Sequence, residues 1–131
     1  MATKSIEATG PLDPAAVWER YALPGSWPTW LPQVPRVELS TARIAAGSTG
    51  RLHVARGVSV PFTVDAVDEA ARRWSWTVRL GLLKLRLEHW VSAADDGGST
   101  TGMRVSGPGP LVAGYAGQAQ AALDRLVKPS G

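Results

Sequence analysis

Cysteine is absent from the 131 residues. That excludes a disulfide framework, a thiolate metal site and a cysteine nucleophile. Histidine occurs only twice, as His53 and His89. They fall on opposite faces of their strand patterns, and no third ligand accompanies them, so no metal or other cofactor is expected. No apolar run approaches membrane-spanning length, and the opening MATKSIEATG has no apolar signal core. The expected location is therefore the cytoplasm, with no membrane span. Charged residues make up only 19% of the chain, and the net charge is +3. The basic residues are scattered singly, apart from Arg72-Arg73, and form no stripe with interleaved aromatics. Nucleic acid is not expected as a partner. Gly47-Ser48-Thr49-Gly50 lacks the lysine and following helix of a phosphate loop. No Ser/His/Asp series and no inward carboxylate pair stands out.

What is present is periodicity. Lys4–Thr9 alternates as a short strand. Asp13 is a good helix N-cap, with Pro14 at the first helical position and Leu12 and Val17 placed for a hydrophobic staple. The helix runs to about Ala22, and Leu23-Pro24-Gly25 stops it. Ser26 is placed to cap a second short helix carrying Trp27, Trp30 and Leu31. Pro32 and Pro35 then force extended chain. Alternation over 36–40, 48–55, 58–67, 73–80, 82–94 and 99–106 predicts six more strands. Their connections are short, including Arg56-Gly57 and the Asp95-Asp96-Gly97-Gly98 hairpin turn, so neighbours are antiparallel. Val58, Val60, Phe62, Val64 and Ala66 share one predicted face. Pro61 among them suggests an edge or a bulge.

The closing stretch Pro110–Lys128 is the long helix. Leu111, Tyr115, Ala119, Ala122 and Leu126 form its apolar stripe, while Gly114 and Gly117 project to the flank and outer side. Arg, Lys and Glu along one face of the strands mean that one sheet face is wet and the other covered. The prediction is an α+β fold: a curved seven-stranded antiparallel sheet wrapped around the long C-terminal helix, with two short helices after the first strand. Residues 1–131 are expected to form one domain, and an alanine-rich helix over a concave sheet should leave a cavity.

This order of elements resembles the START-like helix-grip superfamily, in particular the bacterial polyketide cyclase/dehydrase and lipid-transport group. The resemblance is carried by Val17-Trp18 with Trp27–Trp30-Leu31-Pro32, by Gly47-Ser48-Thr49-Gly50-Arg51, and by Glu88-His89-Trp90 ahead of Gly97–Thr101 and the closing helix. It spans essentially the whole chain. It implies the helix-grip fold, and its members range from lipid carriers and metabolite binders to cyclases, chaperone activators and toxin-like proteins.

Three functions follow as expectations. One is binding of a hydrophobic small molecule (a lipid, polyketide or aromatic metabolite) between sheet and helix. The residues expected around it are Trp30, Phe62, Trp76, Leu87, His89, Met103, Tyr115, Ala119 and Ala122. The second is a cyclase or dehydrase-like enzyme in the same cavity, with His89 or Tyr115 as the proton-moving candidates. Against these stand plainer roles: His89 as a buried histidine satisfied by a neighbour, and Tyr115 and the tryptophans as core packing. The third is a protein-binding regulator that would use the outer sheet face near Trp90 and have a filled interior. The expected assembly is a monomer or weak homodimer.

Overall fold

The computed structural model describes residues 2–54 and 57–129. Ala55 and Arg56, read from sequence as a strand end and part of a tight connection, lie outside the described residues. Strand β1 covers Ala2–Gly10, and helix α1 Pro14–Ala22, followed by a 3-10 helix at Pro24–Thr29. Strands β2 (Arg36–Leu39), β3 (Thr49–His53), β4 (Ser59–Asp68), β5 (Arg73–Leu80), β6 (Leu83–Ala93) and β7 (Ser99–Gly107) precede helix α2 (Gly109–Leu126). All seven strands join one antiparallel sheet in the order β1-β7-β6-β5-β4-β3-β2. This is the predicted helix grip: a curved sheet, two small helical segments after the first strand, and a long closing helix.

Local chemistry explains the starts and stops. The Asp13 carboxylate accepts from the Ala16 N–H at 3.0 Å, capping α1 as expected. The second short helix differs from the reading. It begins at Pro24, inside the supposed stop, and has no side-chain cap. Proline can open a helical turn because its missing N–H would have no partner there. Ser26 instead lies within the turn, where its carbonyl accepts from the Thr29 hydroxyl at 2.6 Å.

Strand β4 also departs from simple alternation. It is interior to the sheet, between β3 and β5. Pro61 is tolerated because it lies one residue outside the β4–β5 register, which starts at Phe62↔Val78. The bulge falls later, between Val64 and Ala66. An extra residue on one strand turns all later side chains to the opposite face. Ala66, expected inside with Val64, is therefore exposed, and Val67 packs against the core opposite Trp74. Val58, expected on the inner face, is also exposed.

Trp90 lies on the outer face. A Cβ on its cross-strand partner Gly102 would collide with the indole ring, so glycine permits the ring to lie across the sheet. The Arg73 guanidinium sits 5.8 Å from that ring's centre, within cation–π range.

Helix α2 packs on β1 and β7 and buries Val112, Ala119, Ala122, Leu123 and Leu126. Gly114 and Gly117 face open space, as helical spacing predicted. One arginine holds the far end of this helix. Arg20 of α1 donates to the carbonyls of Arg125, Leu126 and Lys128 at 2.7–3.0 Å, and to the Thr29 hydroxyl at 2.9 Å. These carbonyls lie at or just beyond the negative end of the helix dipole, where the last turn runs short of backbone donors. Arg20→Ala is expected to cost about 2 kcal/mol in denaturant unfolding, from charge-assisted hydrogen bonds. Lysine should recover less than half, since it lacks the planar fork. A loss below about 0.5 kcal/mol, the scale of an ordinary surface change, would show that the clamp contributes nothing.

A second arginine ties the surface at the same end. Arg43 bonds both Glu19 of α1 and Glu69 of the β4–β5 turn, at 2.6–2.9 Å. Its guanidinium holds both carboxyls below the usual range. Glu69 also accepts from the Trp18 indole at 2.7 Å.

Candidate functional site

The interior between sheet and helices divides into a filled end and an open end. Trp27 fills the first. Its ring centre lies 5.2–5.7 Å from those of Trp30, Phe62, Trp74 and Trp76. Its indole N–H donates to the Tyr21 carbonyl at 2.8 Å. Tyr21 adds edge contacts to Trp30 and Trp74 at 5.5 and 5.7 Å. The short chain from Leu23 to Leu31 exists to place this ring, because Pro24 and Pro28 hold the turn that carries it.

His89 belongs to this end. Its ring stacks on Trp74 at 4.9 Å and 15°. The Trp76 indole N–H donates to its Nε2 at 3.0 Å. An indole nitrogen only donates, so Nε2 is the acceptor and the imidazole proton sits on Nδ1. Burial pushes the His89 pKa down to about 3, because a charged ring would lie among apolar groups. A neutral ring whose lone pair is already engaged is poorly suited to taking a proton from a substrate. The His89 Nδ1 and Trp74 Nε1 groups have no hydrogen-bond partner among the described residues.

The open end lies between the first half of α2 and strands β3 to β6. There a cavity of about 220 Å³ is walled by Leu52, Val78, Leu85 and Leu87, with Trp76 on its inner side. Leu31 and Val34 close it from the chain after the 3-10 helix. Tyr115 and Gln118 of α2, with Gln33 opposite, give it its polar groups. Tyr115 keeps some exposure, yet burial still pushes its phenol up to about 12. It stays a neutral donor and acceptor at ordinary pH.

Of the residues predicted from sequence, Trp76, Leu87 and Tyr115 meet at this cavity. Trp30, Phe62, His89, Met103, Ala119 and Ala122 are buried in the core and are not among its walls. Phe62 and Trp30 are held in the aromatic cluster, and Met103 pairs with His89 across β6 and β7. The sequence reading missed Leu52, Val78 and Leu85 as walls. Their alternation was visible, but which end of the sheet the tryptophans would fill was not. His53 lies far from His89 in the sheet, on the outer face, 3.2 Å from the Glu38 carboxylate.

A larger groove of about 460 Å³ crosses the outer face beside Glu38, Arg51 and Arg79. It is open to solvent, and charged groups stand beside Leu39, Pro61 and the edge of Phe62 in its lining. Among the described residues no group of three or more His, Cys, Asp or Glu is placed to hold a metal ion. No helix among them is long and apolar enough to cross a membrane.

The fold recurs in solved structures of low sequence identity. Protein XoxI from Bacillus cereus superposes with a TM-score of 0.81 at 15% identity, covering 97% of this chain and 94% of that one. Ara h 8.0201 gives 0.76 at 21% identity, over 95% and 94%. Protein CV1439 from Chromobacterium violaceum gives 0.74 at 15% identity, over 97% and 96%. No curated protein sequence matches the chain. A family model described as polyketide cyclase / dehydrase and lipid transport matches residues 1–130. With the grip, the closing helix and the cavity beneath it in place, the chain belongs to that family.

Proposed function

We propose that residues 1–131 form one ligand-binding unit that takes up a small apolar molecule between the sheet and the first half of α2. The observation that carries this reading is the cavity itself: a wall of aliphatic side chains and one indole, with polar groups from Gln33, Gln118 and Tyr115. Such a lining matches small-molecule sites, which are mostly apolar with a few orienting polar groups. Its 220 Å³ lies below the common range of about 300–1,000 Å³. The volume suits a monocyclic aromatic or a short acyl chain, and a sterol or folded polyketide is too large for it. Tyr115 and the two glutamines would orient one hydroxyl or carbonyl of the ligand.

Binding is favoured over catalysis because His89 is neutral and engaged with Trp76. The regulator reading is not favoured either, since Trp90 is laid against Gly102 and beneath Arg73. The test is titration calorimetry with 4-propylphenol and hexanoic acid, alongside native mass spectrometry for a retained ligand. Val78→Phe adds volume to the cavity wall. It is expected to weaken binding by about 10- to 200-fold, the scale of a misfit in an apolar pocket. If neither probe binds the wild type and nothing co-purifies, the reading fails.

A further inference from the structure

The antiparallel register sends two hairpin tips to the same end of the sheet. The β3–β4 connection follows the pair His53↔Ser59, and the β5–β6 turn follows Leu80↔Leu83. The cavity opens at this end too, since Val54, Val60 and Leu80 line it. Four large apolar side chains stand exposed among the described residues, and three of them are on these tips. Leu82 is 101% exposed, Val58 54% and Leu83 46%. A single exposed leucine needs no explanation, but three grouped beside an apolar opening do.

Charge is arranged around the same end. Arg79 pairs with Lys84 across the β5–β6 hairpin, and Arg51 stands on the outer face beside Pro61. Among the described residues Arg51, across from Glu38, bonds the Ser59 hydroxyl at 3.0 Å. Among the acidic residues Glu38 alone lies near this end, and it is paired with Arg36 and His53. The opposite end carries Asp68 and Glu69 in the β4–β5 turn and Asp95 and Asp96 in the β6–β7 turn. The first pole is therefore positive and apolar, whereas at the other the acids are offset by Arg43, Arg72 and Arg73.

We infer that this pole docks on an anionic lipid surface, with Val58, Leu82 and Leu83 entering the headgroup layer and Arg51, Arg79 and Lys84 above it. Apolar tips flanked by cations suit a negatively charged bilayer, which rewards both together. A protein partner would ask for a shaped apolar face, whereas these side chains stand on two separate turns. Docking in this pose points the cavity mouth at the membrane. The inference concerns the rim, and it stands whether or not the cavity takes a ligand.

Flotation of the full chain with vesicles tests it, using phosphatidylcholine alone and phosphatidylcholine mixed with phosphatidylserine. Binding is expected only to the mixed vesicles. Leu82→Asp should weaken it about tenfold or more, from the lost apolar insertion. Lys84→Glu should weaken it at least about fivefold, the worth of one cation near an anionic surface. Lys128→Glu makes the same change of charge at the other pole and should leave binding nearly intact. Val78→Phe, which fills the cavity, should also leave it intact and so separates the rim from the pocket. The inference is overturned if the mixed vesicles do not bind, if neutral vesicles bind equally, or if Lys128→Glu is as damaging as Lys84→Glu. A dimer in sedimentation equilibrium that Leu82→Asp abolishes would overturn it too, by assigning the tips to a second copy.

Discussion

Lowering the pH from about 7 to about 4.5 is expected to remove about 3 kcal/mol of stability through His89 alone. In the fold its pKa is pushed down from 6.5 to about 3 by burial. The unfolded chain therefore takes up the proton first as the pH falls. Stability is fully present above about pH 6.5, declines as the pH drops toward 3, and levels off below that. Glu19 and Glu69 also have lowered pKa values. Their contribution is lost in a lower window, below the ordinary carboxylate pKa, and solvent screening keeps it small because both side chains are about half exposed. Denaturant unfolding at a series of pH values gives the profile, and the ring signals of His89 in a proton spectrum give its state directly. A His89 ring that titrates near 6.5 in the folded protein would refute the account. A profile that stays flat from pH 6.5 to 4.5 would do so as well.

Replacing Trp27 by alanine is expected to cost about 3–5 kcal/mol, the range for deleting a buried ring. The side chain is 0% exposed and touches four other aromatic rings. Its removal leaves a hole walled by flat, rigid groups that cannot collapse inward, and it strips the Tyr21 carbonyl of its donor. The melting midpoint should fall by about 10–20 °C for a chain of this length. Phenylalanine should recover part of the loss, since it refills the space without restoring the hydrogen bond. A cost of about 1 kcal/mol or less for Trp27→Ala would mean that the cluster is loosely packed and that the interior is larger than described.

Much of the architecture was legible in the chain because period-two alternation and turn chemistry are local. The α1 cap, the hairpin at Asp95–Gly98 and the inner face of β5 could all be read from neighbouring residues. The bulge in β4 could not. Val64, Asp65 and Ala66 continue the pattern in letters while the backbone breaks it, and the break is set by pairing with β5. The cavity was legible in kind and not in place. Ala119 and Ala122 suggested space, but both are buried in the core and line no part of the cavity, while Trp27, Trp74 and Trp76 come together from distant segments. Arg20 and Arg43 gave no signal at all. Arg20 follows Glu19 in a short helix and Arg43 sits between Ala42 and Ile44, and the importance of each comes from carbonyls and carboxylates supplied by other elements.

The placement of β1 beside β7 bears on how the chain reaches this structure. Ala2 pairs with Gly107 and Gly10 with Ser99, so the first strand finds its partner only after almost the whole sheet has been laid down. The other sheet neighbours are consecutive in the chain and can pair in sequence from β2 to β7. Until β1 arrives, β7 presents an open strand edge, the kind of template on which a second chain can pair. Closing so long a loop is slow compared with forming hairpins. The hazardous species during folding is therefore a six-stranded sheet without its first strand, and helix α2, which packs on both β1 and β7, is the element that locks that last strand in place.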